Sequence, residues 1–198
     1  MYERFVKRVL DLILSIIGIV ILLPVWIIVP ILIKKDDGGP VFYLAPRIGK
    51  NSVKILMYKF RSMKVGNEDI RNADGSTYNS VDDPRVTKIG RFLRRTSMDE
   101  LPQLFNIFAG QMAIVGPRPA LYNQIFLLEL RSKNGSNALR PGLTGWAQIN
   151  GRDEISDELK AQYDGEYAKR ISFSFDCRCF LATIGKVFKR EGIVEGCK

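Results

Sequence analysis

Histidine is missing from all 198 residues. Its absence removes Ser-His-Asp triads, imidazole acid–base catalysis and histidine metal sites together. Any chemistry must use carboxylates, Lys, Tyr, Cys or an oxygen-bound metal. Cysteine is scarce: Cys177, Cys179 and Cys197 lie near the C-terminus with no C-x-x-C pair. An odd number without a paired framework fits a reducing compartment and ordinary buried or interfacial thiols. There is no internal repeat and no low-complexity tract. Acidic side chains number 21 against 30 Lys and Arg, a net charge of +9, with a 46% hydrophobic fraction. That balance is unlike a disordered tail and favours an anionic partner: phosphates, acidic lipid or nucleic acid. The length suits one domain with a real core.

What is present begins with residues 12–33, LILSIIGIVILLPVWIIVPILI, which carry no charged side chain. As one helix they would extend about 33 Å, enough to cross a bilayer core. The run is too long for a secretory signal and lacks a convincing cleavage site. A plain span and a re-entrant helix remain open. Pro24 near the middle and Pro30 beyond it divide the run into pieces too short to cross alone. Arg4, Lys7 and Arg8 precede the run, while Lys34 and Lys35 follow it. Cytoplasmic flanks are the ones enriched in Lys and Arg, so both ends ask for the same side. A helix broken at Pro24 that enters and leaves one leaflet satisfies both, provided the freed backbone groups find partners.

Asp36 to Pro40 is a turn-rich exit. Val41–Tyr43 and Val53–Phe60 read as short strands joined through residues 47–51. The second delivers Lys59 and Arg61 to one face, although charge on an edge strand also serves as protection. Residues 64–87 are polar and read as a loop or lid. Within them Asp82-Asp83 suggests metal, but Asp83-Pro84 is an ordinary turn opener. Lys88–Arg95 is a basic helical turn. Further on, 120–133 and 154–170 read as helices, the latter presenting Asp164 and Tyr167. Asp176 leads into a last helix over about 177–190, either packed in the core or lying on a membrane surface.

The stretch with most chemistry is Thr96–Pro119, TSMDELPQLFNIFAGQMAIVGPRP. The first turn of a helix tolerates proline, so Pro102 predicts a helix start at or just before Asp99. A carboxylate there faces unpaired N–H groups and the positive end of the helix dipole. Ser97-x-x-Glu100 also matches a capping box, which would make the acids purely structural. Against that, a Ser97 cap puts Pro102 deep in the helix, while an Asp99 cap leaves Glu100 surplus. Arg91, Arg94, Arg95 and Arg118 are nearby in sequence. Such cations keep an aspartate ionised, as a nucleophile or metal ligand requires. Arg140-Pro141-Gly142-Leu143-Thr144-Gly145 is either an ordinary turn or a loop whose N–H groups approach phosphate. With Arg118 and Arg152 it would form a guanidinium clamp on a diphosphate.

SMDELPQLFNIFAGQMAIVGPRP resembles the signature of the bacterial sugar transferases, the monotopic phosphoglycosyl transferases. The resemblance extends through YKFRSM (58–63), RPGLTGWAQINGR (140–152) and YDGEYAK (163–169), in order and over nearly the whole chain. It implies transfer of a sugar 1-phosphate from a UDP-sugar to a polyprenyl phosphate such as undecaprenyl phosphate, with release of UMP. That is the first membrane step of glycoconjugate assembly. It implies Asp99 as nucleophile, with Glu100 beside it as metal or positioning partner, and Mg²⁺ as cofactor bound by both. Lys59, Arg61, Arg94, Pro117, Arg118, Pro119, Arg140 and Arg152 become candidates for phosphate, nucleotide or sugar contacts, with Asp164 and Asp176 as weaker ones. The fold it implies is α/β: a re-entrant membrane helix over 1–35, then a helix-rich catalytic domain over 36–198 with a small β-hairpin or sheet. That domain would sit on the cytoplasmic face of the bacterial inner membrane. One departure is Leu23-Pro24, where the family often has Ser-Pro; leucine has no hydroxyl for a freed carbonyl.

Two other classes stay in view. A nucleotide-sugar glycosyltransferase would release UDP; that class usually carries Asp-x-Asp, which is absent here. A non-catalytic membrane-anchored binder would show salt-sensitive binding without turnover. Expected partners are UDP-sugar, polyprenyl phosphate and the bilayer, with a homo-oligomer left open and nucleic acid not expected.

Overall fold

The computed structural model describes residues 2–66, 70, 83–151 and 155–189. Most of the expected 64–87 loop, including Asp82, lies outside these residues, as do Arg152 and Cys197. The architecture is α/β and rich in helix, with two two-stranded sheets among the described residues.

The apolar run folds as two helices, α1 (Lys7–Ile21) and α2 (Leu23–Asp37), bent by 61° where they meet. Each is about 22 Å long, short of a bilayer core of about 30 Å. Neither is long and apolar enough to cross alone, although the bent pair is by length and composition. The break is at Leu22 rather than Pro24. Pro24 occupies the first turn of α2, where its missing N–H leaves no bond unmade. A carbonyl released at the bend finds an unexpected donor: the Trp26 indole donates to the Ile19 carbonyl at 2.9 Å. The same ring packs on Phe105 and Phe60, with centroids 5.1 and 5.6 Å away. Trp26 therefore does by tertiary contact what a serine at the break would do locally.

After a left-handed Gly38, the chain forms an antiparallel hairpin of β1 (Phe42–Ile48) and β2 (Lys54–Phe60). In its register Tyr43 faces Lys59 and Ala45 faces Met57. Ala45 and Met57 enter the main core with Leu104, Ile107, Met112 and Tyr167. Phe60 instead joins Val29 and Ile33 of α2 in a second cluster. Leu93 of α3 (Lys88–Arg95) completes that cluster; the helix has the expected bounds and starts on a Thr87 side chain accepting from Gly90 N at 2.9 Å.

Next come α4 (Gln103–Phe108), β3 (Ala113–Val115), α5 (Ile125–Asn134), β4 (Gly142–Thr144) and α6 (Trp146–Asn150). The chain closes with α7 (Asp157–Arg170) and α8 (Phe173–Lys189). β3 and β4 run parallel. The glycines around β4 serve that pairing. A Cβ on Gly142 would lie 2.2 Å from Gly116 N, and one on Gly145 would lie 2.0 Å from Gly116 O. The expected phosphate loop is thus a place of close backbone-to-backbone approach. α8 starts four residues earlier than the sequence suggests. It buries Phe175, Asp176 and Cys179 while leaving Phe173 and Leu181 exposed. Burial pushes the Cys179 thiol up to about 12, which removes it as a nucleophile.

Trp26→Phe keeps the ring and removes the N–H. We expect a loss of about 1 kcal/mol, roughly 2–4 °C in melting midpoint, read by thermal unfolding in detergent.

Candidate active site

The acid pair lies in a 3-10 turn, Met98–Glu100, not in the α-helix. α4 begins only at Gln103 with Pro102 as its N-cap, later than the start expected at Asp99. Ser97 is left-handed at φ 55° and its side chain makes no capping hydrogen bond, so the capping box is not formed. With no capping duty to perform, the two carboxylates turn toward a cation.

That cation is Lys59. Its ammonium lies 2.8 Å from Glu100 Oε1 and 3.7 Å from Asp99 Oδ2, while Arg118 Nη2 stands 3.8 Å from the same Glu100 oxygen. Side-chain exposure rises from 5% at Asp99 through 13% at Glu100 and 16% at Lys59 to 30% at Arg118. Asp99 therefore sits at the closed end of a charged recess that opens toward Arg118.

Sequence reasoning missed the residue that holds this geometry. Asn106, fully buried on α4, accepts from Tyr58 N at 2.9 Å and donates to the Leu56 carbonyl at 2.8 Å and Gln111 Oε1 at 2.7 Å. It completes the edge of β2 that β1 does not cover, immediately before Lys59. The signal was one amide inside the apolar LFNIF run, since a buried amide needs partners.

The other expected residues separate into groups. Pro117, Arg118 and Pro119 follow β3, and the Pro117 carbonyl accepts from Gly142 N at 2.8 Å. Arg94 Nε donates to Ser62 Oγ at 2.9 Å. Arg61 does not share a strand face with Lys59: β2 ends at Phe60, and Arg61 turns back to pair with Asp37 and donate to the Pro40 carbonyl. That pairing holds the Asp37 carboxyl below its ordinary range. Asp83 pairs with Arg85 at 2.7 Å and is fully buried, as a turn opener rather than a metal ligand would be. Asp164 is buried against Arg131, whose Nη2 lies 2.6 Å from Oδ2 and whose Nη1 donates to the Arg118 carbonyl at 2.9 Å. Burial pushes its carboxyl up against the pull of Arg131. Asp164 therefore reaches the site only through the backbone of Arg118. Asp176 accepts from Tyr2, Lys7 and Tyr167 at 2.6–2.7 Å, tying the foot of α1 to α7 and α8. Arg140 is not at the acid pair: its Nε donates to the Gly110 carbonyl at 2.9 Å, beyond the far end of α4. Arg152 lies outside the described residues.

No group of three acidic or thiol side chains suited to a metal occurs among the described residues. Mg²⁺ needs fewer: it commonly takes one or two carboxylates and fills its shell with water and phosphate oxygen. The hard oxygens of Asp99 and Glu100 fit that requirement.

Asn106→Leu would strand the Tyr58 N–H and the Leu56 carbonyl. Its expected cost is about 2 kcal/mol or more by denaturant unfolding, with Asn106→Asp intermediate because one acceptor remains.

The sequence model of the family described as bacterial sugar transferase matches residues 2–190. A UDP-glucose:undecaprenyl-phosphate glucose-1-phosphate transferase of Escherichia coli (strain K12) is 38% identical, covering 94% of this chain and 41% of its own length. An undecaprenyl-phosphate galactose phosphotransferase of Salmonella typhimurium is 33% identical, over 96% of this chain and 42% of its own. The exopolysaccharide production protein ExoY of Sinorhizobium fredii is 35% identical, over 94% of this chain and 87% of its own. The chain thus spans about two fifths of the first two relatives and most of the third. With the family model matching almost end to end, this chain belongs to the bacterial sugar transferase family.

Proposed function

We propose that the chain transfers a sugar 1-phosphate from a UDP-sugar to a polyprenyl phosphate, releasing UMP, at the cytoplasmic face of a bacterial inner membrane. The observation that carries this reading is the recess in which one ammonium serves two adjacent carboxylates. The names of the relatives supply the substrate class.

In the first step an Asp99 oxygen attacks the sugar-bearing phosphorus. The bond from that phosphorus to the UMP oxygen breaks, and the phosphosugar remains on Asp99 as an acyl phosphate. In the second step an oxygen of the lipid phosphate attacks the same phosphorus. The bond to Asp99 breaks, giving a polyprenyl diphosphate sugar and the free carboxylate. One displacement becomes two easier ones. Both substrates are anionic, so lowering the repulsion between carboxylate and phosphate is the main task. Lys59 sits closest to do this, and Arg118 stands at the open end to meet incoming phosphate first. Asp99 and Glu100 would hold Mg²⁺, which when bound would neutralise further phosphate charge.

We further propose that residues 1–35 enter and leave one leaflet and that 36–198 form the surface domain. Ile21, Leu23, Ile27 and Ile28, around the bend, are each more than half exposed. That forms an apolar elbow, and lipid is the solvent that makes such exposure favourable.

Asp99→Asn should abolish UMP release across a screen of UDP-sugars while leaving the melting midpoint close to wild type. UDP as the product would favour the glycosyltransferase reading instead. For topology, Glu3→Cys and Asp36→Cys, each in a background with the native cysteines changed to Ala, should label from the cytoplasmic side. Labelling from opposite sides would reject re-entry.

A further inference from the structure

A cleft distinct from the acid recess lies among the described residues. It has a volume of about 250 Å³ and is lined by Glu3 and Lys7 at the foot of α1, Lys50 at the hairpin tip, Leu139, Arg140 and Tyr167, among others. Asp99, Glu100, Lys59 and Arg118 do not line it. Its position is set by α4. The acid pair precedes that helix, whereas the Arg140 guanidinium is tied by Nε to the Gly110 carbonyl just after it. The helix between them is about 9 Å long.

The lining is built for an anion. Lys7 is committed to Asp176 at 2.7 Å, and Tyr167 donates to Asp176 at 2.6 Å, so both are fixed walls. Among the described residues Lys50 has no side-chain partner, and the two Nη groups of Arg140 carry no bond. Glu3 is the one acidic side chain among the described residues of the lining. With its Nε anchored, the Arg140 fork is held rigid, and a guanidinium fork matches the oxygens of a phosphate. The volume lies below the roughly 300–1,000 Å³ of pockets for drug-sized ligands. That is room for a phosphate and a small substituent, with anything larger projecting from the open mouth.

We propose that this cleft is a phosphate-binding site separate from the Asp99 centre, with Arg140 and Lys50 as its cations. It takes a phosphate monoester or diester, carried either by a small soluble molecule or by a phospholipid head group. The site stands on the cleft itself; only the lipid source rests on the proposed membrane placement of α1, whose foot forms one wall.

The test is a titration of the full chain in neutral detergent micelles, with inorganic phosphate in one arm and dihexanoyl phosphatidylglycerol in the other. Sodium chloride at equal ionic strength is the control, and saturable calorimetric binding is the readout. Lys50→Glu and Arg140→Gln should each weaken the preferred probe about tenfold or more, as loss of a charge-assisted bond does. Asp99→Asn should leave it unchanged. The tighter probe identifies the source. Lys50 has no side-chain partner among the described residues, so its variant reports even if Arg140→Gln fails to fold. No saturable binding of either probe, binding indifferent to Lys50→Glu, or binding lost in Asp99→Asn would each overturn the proposal. Because Asp99→Asn is tested separately for UMP release, failure of this site and failure of the transferase reading give different results.

Discussion

One buried amide, Asn106, joins the helix that follows the acid pair to the strand that carries Lys59. Asn106 projects from α4 and satisfies a backbone donor and a backbone acceptor on β2 at once. β2 would otherwise keep an unpaired edge against a fully buried amide, and a buried unpaired polar group costs about as much as a lost hydrogen bond. The consequence is positional. The acid pair comes just before α4, and Lys59 comes just after the residue Asn106 holds. Fixing helix to strand therefore fixes cation to carboxylates. Once the ammonium is there, two adjacent negative charges can coexist in a recess where Asp99 is nearly closed off from solvent.

The apolar elbow follows the same logic of matching backbone groups to partners. Two helices, each too short to cross a bilayer, bend at Leu22. Proline goes where its missing N–H is harmless, and a tryptophan from the second helix reaches back to a carbonyl of the first. That tryptophan also touches Phe60 and Phe105, which flank the site on β2 and α4. The angle of the elbow and the seating of the acid recess are thus coupled through shared aromatic packing. At the other end of α1, Tyr2 and Lys7 meet Asp176, so both ends of the first helix are anchored into the domain.

Local signals in the chain read well where geometry is local. Thr87 before Gly90 set the start of α3, and Gly38 set the end of α2. The hairpin, the broken helix and the closing helices were legible from period and turn chemistry. Properties that depend on distant partners were not. Proline marks a helix start as readily as a break, so a break read at Pro24 falls two residues from the bend at Leu22. Arg61 looked like a neighbour of Lys59 by alternation, but Asp37 captures it where the strand ends. Asp164 and Asp176 looked like site acids, yet each spends its charge on a structural cation, Arg131 and Lys7 respectively. The glycines near residue 142 looked like a phosphate loop and instead let two strands approach closely. Asn106 was invisible in function terms because its partners lie about fifty residues upstream.

The proposed reaction requires Asp99 to carry the phosphosugar as an acyl phosphate between its two half-reactions. The direct measurement is intact-mass and peptide mass spectrometry of the chain after incubation with UDP-sugar and magnesium but no lipid phosphate. The proposal predicts an adduct of the mass of the sugar phosphate supplied, on the peptide containing Asp99, stoichiometric with UMP and discharged when polyprenyl phosphate is added. UMP that appears only once lipid phosphate is present, with the Asp99 peptide never modified, would contradict it.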